Sequence, residues 1–268
     1  MSALAFIFFY LAMFVNAIVF SALGQGGGTL YTPIQIFFGI EFHTAATTSL
    51  FLIMVTSLSS TLVFRKAKVV DWFMAFAFVS ATTIGAFLGG MYSGHFTGRF
   101  LTYLFAAVMA LAGVFMVRQF GSLTWSQAGG RRFYLWERHA GEEHYCINLA
   151  LALPLLFCSG SIAGLIGVSG GILNVPMMVL LLGVPMNVAV GTSALMVGLT
   201  STGGFTGHMI AGHINWPVAL ALAPGMYLAG QIGPRKAVKV DKERLKVYFG
   251  WFLFALAVLL VVRTAMKG

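Results

Sequence analysis

The chain has 268 residues, of which 59% are hydrophobic and only 9% charged, with a mean hydropathy of +0.91. That balance excludes a water-soluble globular domain and defines a polytopic membrane protein. The formal charge of +9 does not signal nucleic-acid binding: the sixteen Lys and Arg residues gather in short islands, none lies in residues 1–64 or 139–234, and no basic face is left to meet phosphates.

Apolar runs long enough to span a bilayer occupy residues 3–23, 43–64, 72–92, 100–117, 147–166, 187–210, 216–232 and 247–262. The first lacks the basic leader of a signal peptide and has a counterpart in the second half, so it reads as structure. It ends on Gly24-Gln25-Gly26-Gly27-Gly28-Thr29-Leu30-Tyr31-Thr32-Pro33, and a second version recurs as Gly167-Val168-Ser169-Gly170-Gly171-Ile172-Leu173-Asn174-Val175-Pro176. Glycines weaken a helix by roughly 1 kcal/mol apiece, so each run predicts a helix break. In lipid, unwound backbone persists only where protein or a water-filled cavity satisfies its N–H and C=O groups, which places both breaks at a site rather than against acyl chains. The glycines have a second possible use, close packing of neighbouring helices.

The short runs after the breaks, residues 29–40 and 172–183, are about 18 Å long as helix against a hydrocarbon core of roughly 30 Å. They span only together with their Gly-rich lead-ins, or dip in as re-entrant pieces. Glu41 and His43 follow as an interfacial pair, with proton handling as the alternative. Thr48-Ser49 and Thr192-Ser193 start one turn inside long spans, where their hydroxyls either face the same cavity or return to a carbonyl on the preceding turn.

The two halves superimpose at offsets of 143 and then 144 residues. Gly27 matches Gly170, Gly28 matches Gly171, Pro33 matches Pro176, Gly39 matches Gly183, Thr48 matches Thr192, Thr56-Ser57 match Thr200-Ser201, Trp72 matches Trp216 and Gly89 matches Gly233. These residues carry positional meaning, and one register explains them all, so the chain is a duplication. Arg65, Lys66 and Lys68 follow the second long span of the first half, whereas the corresponding stretch 208–215 has no Lys or Arg. The imbalance reverses later: 92–99 holds one basic residue, while 234–246 holds Arg235, Lys236, Lys239, Lys242, Arg244 and Lys246. Equivalent loops therefore lie on opposite sides, which predicts inverted topology with about five segments per half and both termini outside. The expected organisation is an all-α protein with an N-terminal membrane repeat over 1–117, a cytoplasmic connector over 118–145 and an inverted C-terminal membrane repeat over 146–268.

Cys146 and Cys158 are twelve apart on one predicted helix, too far for a disulfide, and His139, His144 and Cys146 match no zinc spacing. His208 and His213 are expected at the outer surface. No metal, cofactor or nucleic-acid partner is expected. No Lys or Arg falls mid-span, so an anion at mid-depth is held by backbone dipoles, hydroxyls and amides. The expected substrate-binding set is Gln25, Gly26, Gly27, Gly28, Thr29, Thr48, Ser49, Ser169, Gly170, Gly171, Asn174, Thr192 and Ser193.

The repeated Gly-Gly-x-Leu-x-x-Pro followed by Ala-x-x-Thr-Ser, here Gly27 to Pro33 with Ala45 to Ser49 and Gly170 to Pro176 with Ala189 to Ser193, resembles the TauE/SafE group over nearly the whole chain. The resemblance implies a duplicated permease of the bacterial inner membrane that exports small sulfur-containing anions such as sulfite or sulfonates. Ser169 stands where the first copy has Gly26, a departure that makes the two sides of a site unequal. Two other readings compete: an anion channel, and an intramembrane serine protease built on Gly167-Val168-Ser169-Gly170. The second is weakened because its tetrad belongs to a repeated element whose other copy has no serine there.

Overall fold

The computed structural model describes residues 3–28, 30–118, 135–140, 143–166, 171–210, 212, 214–237 and 242–266. The chain is almost wholly helical: α1 (Ala3–Ala22), α2 (Tyr31–Phe37), α3 (Phe42–Lys66), α4 (Trp72–Tyr92), α5 (Gly98–Val117), α6 (Leu149–Ile166), α7 (Gly171–Pro176), α8 (Met186–Ile210), α9 (Trp216–Ala237) and α10 (Lys242–Met266). A 3-10 turn, Ser93–His95, follows α4, and a wider π-helical stretch, Met177–Leu181, extends α7. Among the described residues five segments are long and apolar enough to cross a membrane: Leu4–Ala22, Phe42–Lys66, Trp72–His95, Leu149–Ile166 and Val188–Ile210.

Side-chain caps start these helices. Glu41 accepts from the Thr44 amide (2.9 Å), Asp71 from Met74 (3.0 Å) and Thr97 from Phe100 (3.4 Å), while the Asn148 and Asn215 Oδ1 atoms accept from Leu151 (3.2 Å) and Val218 (3.3 Å). Each satisfies an amide that the first helical turn leaves unpaired. Burial opposes the charge on Glu41, but the His43 and Thr44 amides and the neighbouring His43 outweigh it and hold the carboxyl below its ordinary range. Glu41 is therefore a capping carboxylate. Gly39 (φ +88°) and Gly183 (φ +69°), matched in the duplication, both take the left-handed conformation that ends a short helix.

Between α5 and α6 the chain makes a hairpin of β1 (Leu135–Ala140) and β2 (Glu143–Asn148), antiparallel, with Arg138 opposite Tyr145 and His139 opposite His144. The hairpin delays the start of α6 to Leu149, so Cys146 lies on β2 and Cys158 on α6, not on one helix as expected. Both thiols are free.

The centre of the molecule is the crossing of α3 and α8. A Cβ at Gly198 would touch Ser57 and Leu58, and one at Gly204 would touch Leu50, so the numbering rises along α8 as it falls along α3 and the pair runs antiparallel. To either side the contacts repeat. A Cβ on Gly89 would meet the Ser161 carbonyl and Leu165 amide of α6, and one on Gly233 would meet the Ile18 carbonyl and Ala22 amide of α1. These are the same positions under the offsets that relate the halves. Small residues thus bring the backbones of α4 and α6, and of α9 and α1, into direct contact, as membrane helices without a hydrophobic driving force require.

Candidate functional site

The first helix break is buried at this crossing. The Gln25 amide donates to the Phe20 carbonyl (3.1 Å), and beyond it none of the Gly26, Gly27 and Gly28 amides donates to a backbone carbonyl among the described residues. Gly26 (φ +64°) and Gly27 (φ +80°) are left-handed, a conformation that a side chain strains. Space forbids a side chain as well: a Cβ on Gly26 would strike Ser57 Oγ of α3 and approach Val197 of α8, and one on Gly28 would strike Ile53. Asn16 of α1 donates from Nδ2 to the Gly27 carbonyl (2.7 Å), fixing the direction in which that peptide points.

Buried polar side chains pair between α2 and α3 and between α6 and α7. Gln35 Nε2 donates to Ser49 Oγ (2.8 Å) and to the carbonyls of Ala45 (3.2 Å) and Tyr31 (3.3 Å). Tyr31 Oη shares a hydrogen bond with Thr56 Oγ1 (3.0 Å). Ser159 Oγ donates to Asn174 Oδ1 (3.2 Å). Four further donors, Thr48 Oγ1, Ser57 Oγ, Ser193 Oγ and Asn174 Nδ2, are buried and make no hydrogen bond among the described residues. A buried donor without a partner is costly, and Ser57 Oγ lies directly against the break at Gly26.

Of the expected binding residues, Gln25, Gly26, Gly27, Gly28, Thr48, Ser49, Gly171, Asn174, Thr192 and Ser193 are all buried. Ser49 is engaged by Gln35, and Thr192 Oγ1 accepts the Asp71 amide (3.0 Å) beside the start of α4. Thr29, Ser169 and Gly170 lie outside the described residues, as does His213. Ser57 and Gln35 were not in the expected set. Ser57 was visible as half of the repeated Thr56-Ser57 pair, whereas nothing in the sequence marked Gln35.

Two polar nodes away from the break also differ from expectation. His208 is fully buried, not at a surface: Nε2 donates to the Gly164 carbonyl of α6 (2.8 Å), and Nδ1 lies 3.3 Å from Ser93 Oγ. Gly90 and Gly207 let α4 and α8 approach closely enough to enclose it. The other node is Asp71, 4% exposed, whose carboxylate accepts from Arg138 Nη2 (2.7 Å) and Nε (3.2 Å), Tyr145 Oη (2.6 Å) and the Met74 amide. Burial resists its ionisation, but the Arg138 guanidinium and these donors prevail and hold the carboxyl below its ordinary range. Burial, with the same carboxylate beside it, pushes the Tyr145 phenol far up. The Arg138 guanidinium also stacks on Trp136 (4.6 Å) and Phe73 (5.1 Å). The hairpin is thereby pinned to α4 and, through Thr192, to α8. Among the described residues no group of three His, Cys, Asp or Glu is placed to hold a metal ion.

Membrane-length helices packed around an unwound, protein-enclosed break define a multi-pass membrane protein. The sequence matches the family described as Sulfite exporter TauE/SafE over residues 8–260, and the chain belongs to that family. It is 31% identical over 239 residues to the probable membrane transporter protein YunE of Bacillus subtilis (strain 168), covering 86% of this chain and 88% of that protein. A probable membrane transporter protein of Xylella fastidiosa (strain Temecula1) is 28% identical over 249 residues, covering 90% and 89%. One from Methanocaldococcus jannaschii is 26% identical over 258 residues, covering 87% of each. No solved structure gives a significant match. By family, the chain is a membrane transporter.

Proposed function

We propose that this transporter exports a small sulfur-containing anion, sulfite or an organosulfonate, across the bacterial inner membrane by alternating access of two inverted repeats around paired breaks. The observation that carries the reading is the first break, where three successive glycine amides have no backbone acceptor among the described residues and Gly26 packs against the Ser57 hydroxyl, which has no described partner. Left-handed glycine turns that expose consecutive N–H groups form concave anion sites. With no Lys or Arg at hand the hold is weak and reversible, as a carrier needs. The antiparallel α3 and α8 and the equivalent contacts of Gly89 and Gly233 support inversion. Arg65, Lys66, Lys68 and Arg235 line one groove, which supports placing that end of the bundle in the cytoplasm and both termini outside.

Exporting one negative charge through an inside-negative membrane gains about 2.3 kcal/mol per 100 mV, so the mechanism needs no coupling ion. The test is efflux of sulfite, a sulfonate and sulfate from cells with and without the protein. Faster loss of sulfite or the sulfonate is expected. Identical efflux of all three anions in both strains would end the proposal.

A further inference from the structure

A groove of about 660 Å³ separates the C-terminal ends of α3 and α9. Arg65, Lys66, Lys68 and Arg235 line its charged end, and Leu62 and Tyr227, each about half exposed, line its apolar wall. We propose that this groove binds an anionic phospholipid, with the headgroup phosphate among the cations and an acyl chain along Leu62 and Tyr227.

Neighbouring side chains position the two arginines. Gln231 donates from Nε2 to the Ser59 carbonyl (2.8 Å) and Oγ (2.9 Å), and its Oε1 accepts from Arg235 Nη2 (3.2 Å), which steadies the guanidinium at the groove. Arg65 is placed over the Trp72 ring (5.9 Å). Lys68 has φ +57° and donates its amide to the Arg65 carbonyl (3.1 Å), while the Val69 amide reaches the Phe64 carbonyl (3.4 Å). That is the turn closing a helix in which glycine is favoured, yet a lysine occupies it. Among the described residues no carboxylate forms an ion pair with any of the four groove cations. Charge calls for an anion, and the half-exposed Leu62 and Tyr227 beside it call for a hydrocarbon chain; a small soluble anion would satisfy only the first. Juxtamembrane Lys and Arg attract anionic headgroups in this way.

The test is native mass spectrometry of the purified full chain offered equal amounts of phosphatidylglycerol and phosphatidylcholine with the same acyl chains. The wild type should retain phosphatidylglycerol selectively. Lys66→Gln, Lys68→Gln and Arg235→Gln should each weaken that retention roughly fivefold. These side chains are exposed, and an unchanged thermal unfolding midpoint verifies each variant's fold. Lys236→Gln, an exposed cation outside the groove, should bind as the wild type does. Equal retention of the two lipids, or an equal loss in Lys236→Gln, would overturn the proposal. So would inorganic phosphate protecting the chain against unfolding as well as phosphatidylglycerol does, which would reassign the groove to a soluble oxyanion.

Discussion

Replacing Asp71 by alanine removes the acceptor for Met74 N–H, for Arg138 Nε and Nη2 and for Tyr145 Oη together. Breaking a buried ion pair while leaving its partner in place costs about 3–5 kcal/mol. The Arg138 side chain keeps 19% of its exposure and regains some hydration, which sets the expected loss near the lower end, about 3 kcal/mol. At roughly 2–4 °C per kcal/mol for a chain of this size, the unfolding midpoint should fall by about 6–12 °C. Tryptophan fluorescence of the detergent-purified protein reads this directly, since Trp136 sits on the Arg138 guanidinium. Asp71→Asn retains an acceptor for Met74 and should lose about half as much. Arg138→Ala combined with Asp71→Ala should fall little below the worse single variant. If the two losses add within about 0.5 kcal/mol, the carboxylate and guanidinium are not coupled and the clamp is refuted. The folded carboxyl is held below its unfolded value of about 3.9, so its stabilisation is fully present above that pH and fades as pH falls through the lowered value. The gap between wild type and Asp71→Asn should accordingly stay constant from about pH 8 to 5 and close only below about pH 4.

Gly26→Ala combines a left-handed backbone, costing roughly 1–2 kcal/mol, with a Cβ placed on Ser57 Oγ. It should abolish export while membrane fractionation finds the protein at wild-type level. His208→Ala strips the Gly164 carbonyl of its partner and opens a void between α4, α6 and α8, so unfolding in detergent should occur about 2–4 kcal/mol earlier. Gln35→Leu keeps the volume but removes the donor to Ser49 and Ala45, and a loss of about 1–3 kcal/mol in the same assay is expected. Wild-type stability in either variant would show that the ring or amide is idle.

The helical class, the first break and the position of the short helices were legible because each has a local cause. Three glycines in an apolar run cannot propagate a helix through lipid, and Gly39 and Gly183 mark by their backbone freedom where the short pieces stop. Capping residues such as Asp71, Thr97 and Asn215 fall where apolar runs begin. Features decided by distant partners were not legible. The β-hairpin of Leu135–Ala140 and Glu143–Asn148 is too short to carry a periodic signal, and Tyr145 and Arg138 acquire their purpose only by reaching Asp71. His208 lies six residues from Ile214 near a helix end and reads as interfacial; Gly90 and Gly207 make it a core residue by letting two helices close over it. Ser57 was visible as a repeated pair, but its place against Gly26 is a tertiary fact.

Counterflow of labelled sulfite or sulfonate into liposomes loaded with the unlabelled anion, for wild type, Ser57→Ala and Gly27→Val, bears most directly on the break as the binding element of a carrier. Transient accumulation of label by the wild type is predicted, with a raised half-saturation concentration in Ser57→Ala and none of the accumulation in Gly27→Val, whose side chain would collide with Tyr31 and Ala17. Equilibration without overshoot by the wild type would make the protein a channel. Undiminished counterflow in both variants would place the anion somewhere other than the glycine break.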